Sequence, residues 1–188
     1  MATYWPSAGK ELTQPTLSLA LKRARELGIK DVVLPSVTGY SASLLLKELS
    51  PEEEWNLVCV THQAGFKEPG KMEMPEEVRR RLQEAGMKIL TTTHLMGGLD
   101  RALRFAFQGV YPAEIIAYTL RLLGEGVKVG VEVAIMALDA GLIPYGREVV
   151  SLGGTREGLD TALVIQPAHS REFFATKIKE IICKPRDF

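Results

Sequence analysis

The strongest constraint on the fold is a change of period that repeats along the chain: short β-branched runs alternate with stretches of helical spacing. "TQPTLSLALKRARELG" opens on Thr13 as an N-cap with Pro15 in the first turn, stops at Gly28, and lines Leu17, Ala20, Leu21, Ala24 and Leu27 on one face. "DVVLPS" then reads as a buried strand that Pro35 ends. The helix "YSASLLLKEL", the strand "WNLVCVT", the helix "PEEVRRRLQEAG" and the strand "MKILTT" follow in turn. Three helical stretches come next, "GLDRALRFAF", "PAEIIAYTLRLLGEG" and "VKVGVEVAIMALDAG", before the closing strands "EVVSLG" and "TALVIQ". Such alternation predicts a parallel sheet covered on both faces. Only "GTREGLD" separates the last two runs, too little for a parallel crossover, so they pair antiparallel. The expected architecture is a three-layer α/β/α sandwich with one antiparallel strand at an edge. The tail "SREFFATKIKEIICKPRDF" reads equally as a helix or an extended arm.

Composition narrows the function. The chain has 188 residues, enough for one domain with a sizeable core. Lys+Arg and Asp+Glu both total 23, so no net field draws the molecule to nucleic acid or anionic lipid. "MATYWPSAGK" has no apolar signal-peptide region, and no run approaches the ~18 apolar residues of a membrane span, so a cytoplasmic location is expected. Cys59 and Cys183 stand in neither a CxxC pair nor metal-ligand spacing; Cys59 reads as a small buried hydrophobe.

The strand ends carry the chemistry. "SVTGYSASLLL" follows the first strand with Ser36, Thr38 and Ser41 around Gly39. In a parallel α/β sheet, ligands sit beyond the carboxyl ends of the strands, against helix N-termini whose unpaired N–H groups favour an anion. Hydroxyls add donors, and glycine permits close approach of the backbone. "THQAGF" (Thr61, His62), "TTTHLMGG" (Thr93, His94, Met96, Gly97) and "SLGGTREGLDT" (Gly153, Gly154, Thr155, Thr161) are expected on the same edge. One hydroxyl loop is an ordinary N-cap; four in succession read as a cradle for a phosphorylated small molecule.

The residues also resemble a family. "KDVVLPSVTGYSASLLLKEL" resembles the opening of the carboxyl-terminal domain of pyruvate kinase, and "GREVVSLGGTREGLDTALVI" its ending. The likeness covers most of residues 12 to 167. It implies one domain over 1–188, with a core of about 12–167, an arm at 168–188, and a five-stranded mixed sheet in the order 3-2-1-4-5 with strand 5 antiparallel. In regulated pyruvate kinases the two loops hold the phosphates of a sugar bisphosphate effector; Ser36, Thr38, Gly39 and Ser41 fall on the first, and Gly153, Gly154, Thr155 and Gly158 on the second. Tyr40 replaces the usual basic residue of the first loop, and the catalytic barrel is missing, so pyruvate kinase activity is not expected. The chain looks closer to a small group of stand-alone, mostly archaeal proteins built on this domain. That resemblance implies bound flavin mononucleotide (FMN), with Tyr40, Phe66, Leu95 and Met96 as candidate walls for its ring.

Other residues admit two readings. His62 and His94 follow strands closely enough to face the cleft as donors or acid–base groups, or to be idle loop histidines. His169, in the tail, reads as idle. Glu132 and Asp139 share one face of an apolar helix, where a carboxylate needs a partner: Arg101, Arg156 or a ligand hydroxyl, or an ordinary salt bridge. Arg79, Arg80 and Arg81 point in different directions on their helix and read as a solvated face. "TTTHLMGGLDRALRF" and "GGTREG" lack the spacing of P-loop or dinucleotide fingerprints. Three functions follow: a phosphorylated-ligand binder with a regulatory or sensing role, a flavin-dependent oxidoreductase, or a scaffold that forms homo-oligomers through the apolar helices between 99 and 140.

Overall fold

The computed structural model describes residues 2–188. The strands are β1 (Thr3–Ser7), β2 (Asp31–Pro35), β3 (Asn56–Val60), β4 (Lys88–Leu90), β5 (Val149–Gly153), β6 (Thr161–Gln166) and β7 (Lys177–Asp187). The α-helices are α1 (Thr13–Leu27), α2 (Tyr40–Glu48), α3 (Glu76–Glu84), α4 (Gly98–Phe107), α5 (Pro112–Arg121) and α6 (Glu125–Asp139).

Successive residues of a strand point to opposite faces, and here both faces are apolar. Val32, Leu34, Leu57, Cys59, Val150, Leu152, Ala162 and Val164 pack under Leu17, Leu21, Ala42, Leu45 and Leu82 of α1, α2 and α3. Their neighbours Val33, Val58, Val60, Val149, Leu163 and Ile165 pack against Ala117 of α5 and the apolar length of α6. The sheet thus separates two cores, in the three layers that the alternation predicts.

The expected five-stranded sheet is corrected to seven strands, in the order β1-β7-β6-β5-β2-β3-β4. β2 pairs parallel with β3 and β5, and β3 with β4. β6 pairs antiparallel with β5, and lies inside the sheet because β7 pairs antiparallel with its other side. β1 then adds parallel to β7. The tail therefore forms a short 3-10 stretch, Ser170–Ala175, and a strand. A free edge on β6 would expose unpaired backbone groups, and β7 covers it.

Close approach of α6 to the sheet depends on glycines. A Cβ on Gly153 would lie 1.9 Å from the carbonyl oxygen of Gly126, and one on Gly126 would lie 2.1 Å from Thr161 Oγ1. Ser151, fully buried in β5, donates to the Gly130 carbonyl at 2.7 Å and ties strand to helix. Among the described residues no helix is long and apolar enough to cross a membrane.

Candidate functional site

β2, β3, β4 and β5 run parallel, so the loops after them leave one edge of the sheet. A cleft of about 430 Å³ opens there. The first loop contributes Ser36, Thr38, Tyr40 and Ser41; the second Thr61, His62 and Phe66; the third His94; the fourth Gly154, Arg156 and Gly158. α6 supplies the wall opposite the hydroxyls through Lys128, Val129, Glu132 and Val133.

The first loop ends in α2, whose N-cap is Gly39, with φ +89° and no side chain to cap the first turn. Ser36 takes over that task from six residues upstream: its Oγ accepts from the Ala42 N–H at 3.3 Å, leaving the hydroxyl proton free to donate. Ser36 and Ser41 are buried, and Thr38 is exposed at the mouth. Helix-start amides, partial positive charge and hydroxyls therefore face one side of the cleft.

Another part of the cleft lining is aromatic. His62 packs on Phe66 with ring centres 4.0 Å apart, His94 stands 5.4 Å from His62, and the Arg101 guanidinium lies 5.5 Å over Phe66. Glu73 Oε1 bonds His62 Nδ1 at 2.7 Å, and the Thr61 carbonyl faces His94 Nε2 at 3.3 Å. Burial, the largest influence on His94, pushes its pKa below the ordinary imidazole value of 6.5, so the ring is neutral at pH 7.

Lys128 and Glu132, both buried, pair one helical turn apart on α6, and Glu132 also accepts from the Met96 N–H at 2.7 Å. The pair locks the third loop to the helix. Arg121 pairs with Glu125 at the same rim. Four cationic side chains (Arg101, Arg121, Lys128, Arg156) and three carboxylates (Glu125, Glu132, Glu157) line the cleft, a surplus of one positive charge.

The fourth loop is closed on itself. Asp160, 2% exposed, accepts from the Thr155 N–H at 3.0 Å, the Thr155 hydroxyl at 2.6 Å and the Thr161 hydroxyl at 2.7 Å. Those donors serve an internal carboxylate.

Of the residues singled out by sequence, the structure brings Ser36, Thr38, Tyr40, Ser41, Thr61, His62, His94 and Gly154 onto one cleft. Gly39, Thr93, Met96, Gly97, Gly153, Thr155 and Thr161 do not line it. Gly39 faces Val78 of α3: a Cβ there would lie 2.3 Å from Val78 Cγ1. Met96 packs in the α6-side core with Leu95 at its margin, Gly97 precedes α4, and Thr93 is exposed. Of the ring-wall candidates, Tyr40 and Phe66 therefore remain. Asp139 bonds His169 Nδ1 at 2.9 Å and accepts from the Ser170 N–H, an exposed contact that ties the tail to α6. Sequence reasoning missed Lys128, whose signal was its i, i+4 spacing to Glu132 on an apolar helix. Arg79, read as solvated, donates to Thr91 Oγ1 at 2.9 Å at the end of β4. Cys59 and Cys183 are buried, and desolvation pushes their thiols up to about 12 and about 11, so neither is a nucleophile.

The family model described as the pyruvate kinase alpha/beta domain matches residues 14–165. Among solved structures, a pyruvate kinase from Cryptosporidium parvum is similar at 16% identity and a TM-score of 0.41, over 81% of this chain and 22% of its own. The Cryptosporidium parvum pyruvate kinase in complex with ADP is similar at 18% identity and a TM-score of 0.41, over 81% of this chain and 23% of its own. The chain thus spans less than a quarter of the length of those enzymes.

Proposed function

We infer function from one premise: this chain belongs to the pyruvate kinase alpha/beta domain family, whose model matches residues 14–165. The function we propose is binding of a phosphorylated small molecule, with FMN as the candidate, in a regulatory or sensing role. The observation that carries it is the division of a single cleft into a hydroxyl-and-amide end, Ser36 to Ser41, and an aromatic end, Phe66 with His62 and His94. Its volume of about 430 Å³ lies within the range of small-molecule sites. Ser36, Thr38 and Ser41 would take the phosphate; Tyr40 and Phe66 would flank an aromatic ring system.

On the fourth loop the Thr155 and Thr161 hydroxyls are engaged by Asp160 and would not serve a second phosphate, which leaves Arg156 as the cationic group that loop brings to the cleft. FMN carries one phosphate, which the first loop would hold.

A second reading, flavin-dependent oxidoreduction, is favoured by His94: a neutral imidazole lining the cleft, its Nε2–H given to the Thr61 carbonyl, keeps Nδ1 as the nitrogen that can accept a proton. Bound flavin would supply the two-electron chemistry.

The test is the visible spectrum of the isolated protein, followed by titration of stripped protein with FMN, riboflavin and a sugar bisphosphate. The binding reading expects FMN to bind more tightly than riboflavin, which lacks the phosphate, and than the bisphosphate. Equal affinity for riboflavin overturns the phosphate placement, and no response to any of the three overturns the cleft. Reduction of bound FMN by NADH or NADPH selects the second reading.

A further inference from the structure

Every carboxylate that lines the cleft already has a cation. Glu125 pairs with Arg121 and Glu132 with Lys128, while Glu157 takes Lys10 at 2.7 Å from the segment before α1. Two guanidiniums of the lining, Arg101 and Arg156, are left with neither an ion pair nor a side-chain hydrogen bond among the described residues.

Of these two, Arg101 is the one held in place. Its guanidinium lies 5.5 Å from the Phe66 ring centre, the Phe66 ring packs on His62 at 4.0 Å, and Glu73 fixes His62 through Nδ1 at 2.7 Å. The Gly65 N–H bonds the Lys71 carbonyl at 2.8 Å and closes the second loop behind this stack. Stacking engages the face of a guanidinium and leaves the N–H groups along its edge free. Arg104, on the same helix, uses its edge on Glu114 at 2.8 Å. Arg101 is therefore a planar fork of donors, positioned in advance and without an acceptor.

Strand order separates this fork from the hydroxyls of the first loop. That loop follows β2, whereas Phe66 follows β3 and Arg101 follows β4. Neighbouring strands lie about 4.8 Å apart, so the fork sits on the β4 side, one to two strand spacings or roughly 5–10 Å from Ser36–Ser41.

We propose that Arg101 is a second recognition point of the cleft, which selects a ligand bearing a phosphate and, away from it, a planar edge made only of acceptors. A carboxylate has such an edge, and so does the N1–C2=O side of a flavin ring; the N–H fork meets either with two parallel hydrogen bonds. The two-ended ligand rests on the phosphate reading of the cleft, whereas the acceptor site at Arg101 does not.

Side-chain NMR of the arginine Nε–H groups tests the acceptor site with benzoate, a planar carboxylate without a phosphate. Benzoate should shift the Arg101 resonance to saturation and leave Arg147 unmoved, an exposed arginine just before β5 and so at the other edge of the sheet. Calorimetry with FMN, 3-phosphoglycerate and glycerol 3-phosphate, which lacks the carboxylate, tests the two-ended ligand. Arg101→Gln should weaken FMN, 3-phosphoglycerate or both at least about tenfold, and leave glycerol 3-phosphate within about twofold. A loss confined to FMN assigns the ring edge, and one confined to 3-phosphoglycerate the carboxylate. Arg101→Lys keeps the charge without the fork and should be as weak as Arg101→Gln. The Arg101 side chain is exposed, so far-UV circular dichroism of both variants should match the wild type. An Arg101 resonance that moves no more than that of Arg147 overturns the proposal whatever FMN does. So does an Arg101→Gln or Arg101→Lys variant that binds every probe like the wild type, or a loss shared equally by glycerol 3-phosphate, which would make Arg101 part of the phosphate site. Where benzoate saturates Arg101 but no phosphorylated probe binds, the phosphate reading falls and the acceptor site stands.

Discussion

Gly39→Ala probes why the first loop carries a glycine. The new methyl would sit 2.3 Å from Val78 Cγ1 on a backbone at φ +89°. The left-handed conformation costs an L-residue about 1–2 kcal/mol. Overpacking adds about 1–3 kcal/mol, because a valine in a helix has one strongly preferred rotamer and cannot swing its Cγ1 away freely. The expected total is about 2–5 kcal/mol, a fall in melting temperature of roughly 4–20 °C for a chain of this size. Val78→Ala removes the clashing atom and leaves Val78 Cβ at 3.7 Å and Leu82 Cδ1 at 3.6 Å, ordinary contact distances. In urea unfolding, the double variant should therefore lose about 1–3 kcal/mol less than the sum of the two single losses. Additivity within about 0.5 kcal/mol would refute the steric account and leave only the backbone term.

Lys128→Met strands the buried Glu132 carboxylate and should cost about 3–5 kcal/mol in chemical denaturation. Adding Glu132→Gln, which keeps an acceptor for the Met96 N–H, should recover most of that, and a double variant no better than the single one would count against the pairing. His94 has a folded pKa below its unfolded value of 6.5, chiefly through burial, with Glu132 opposing and His62 and Lys128 assisting. The unfolded chain thus binds more protons below about pH 6.5: the contribution is constant above that value and stability is lost as pH falls toward the folded pKa. Urea midpoints should fall more steeply in that window for wild type than for His94→Gln; identical slopes would remove His94 from the account.

Much of the architecture was legible because burial imposes period. α1 through α6 and the strands β2 to β6 carry apolar spacing that only one kind of element can satisfy, and seven intervening residues dictated the antiparallel hairpin. The strands β1 and β7 were hidden for a physical reason. β1 is five residues long and contains Pro6, while β7 mixes Lys177, Lys179 and Glu180 with Ile178, Ile181 and Ile182, a pattern compatible with either an amphipathic helix or a strand at the margin. In the cleft, the hydroxyls of the first loop were readable from chemistry. Gly39 was legible as a glycine needing space, but not as one yielding it to α3, since Val78 lies far along the chain. Thr155 and Thr161 looked free because no periodicity reveals that Asp160 turns inward to take their protons.

The pairing of Thr3 with Cys183 has a kinetic consequence. Within this sheet β1 is synthesised first, yet β7, the strand it pairs with among the described residues, is synthesised last. Closing so long a loop is entropically slow, so the amino-terminal segment must wait, unpartnered, until the rest of the sheet has assembled and β7 has docked on β6. Assembly of this sheet should therefore finish with the union of β1 and β7, leaving the early segment open to proteases and to chaperones until that moment.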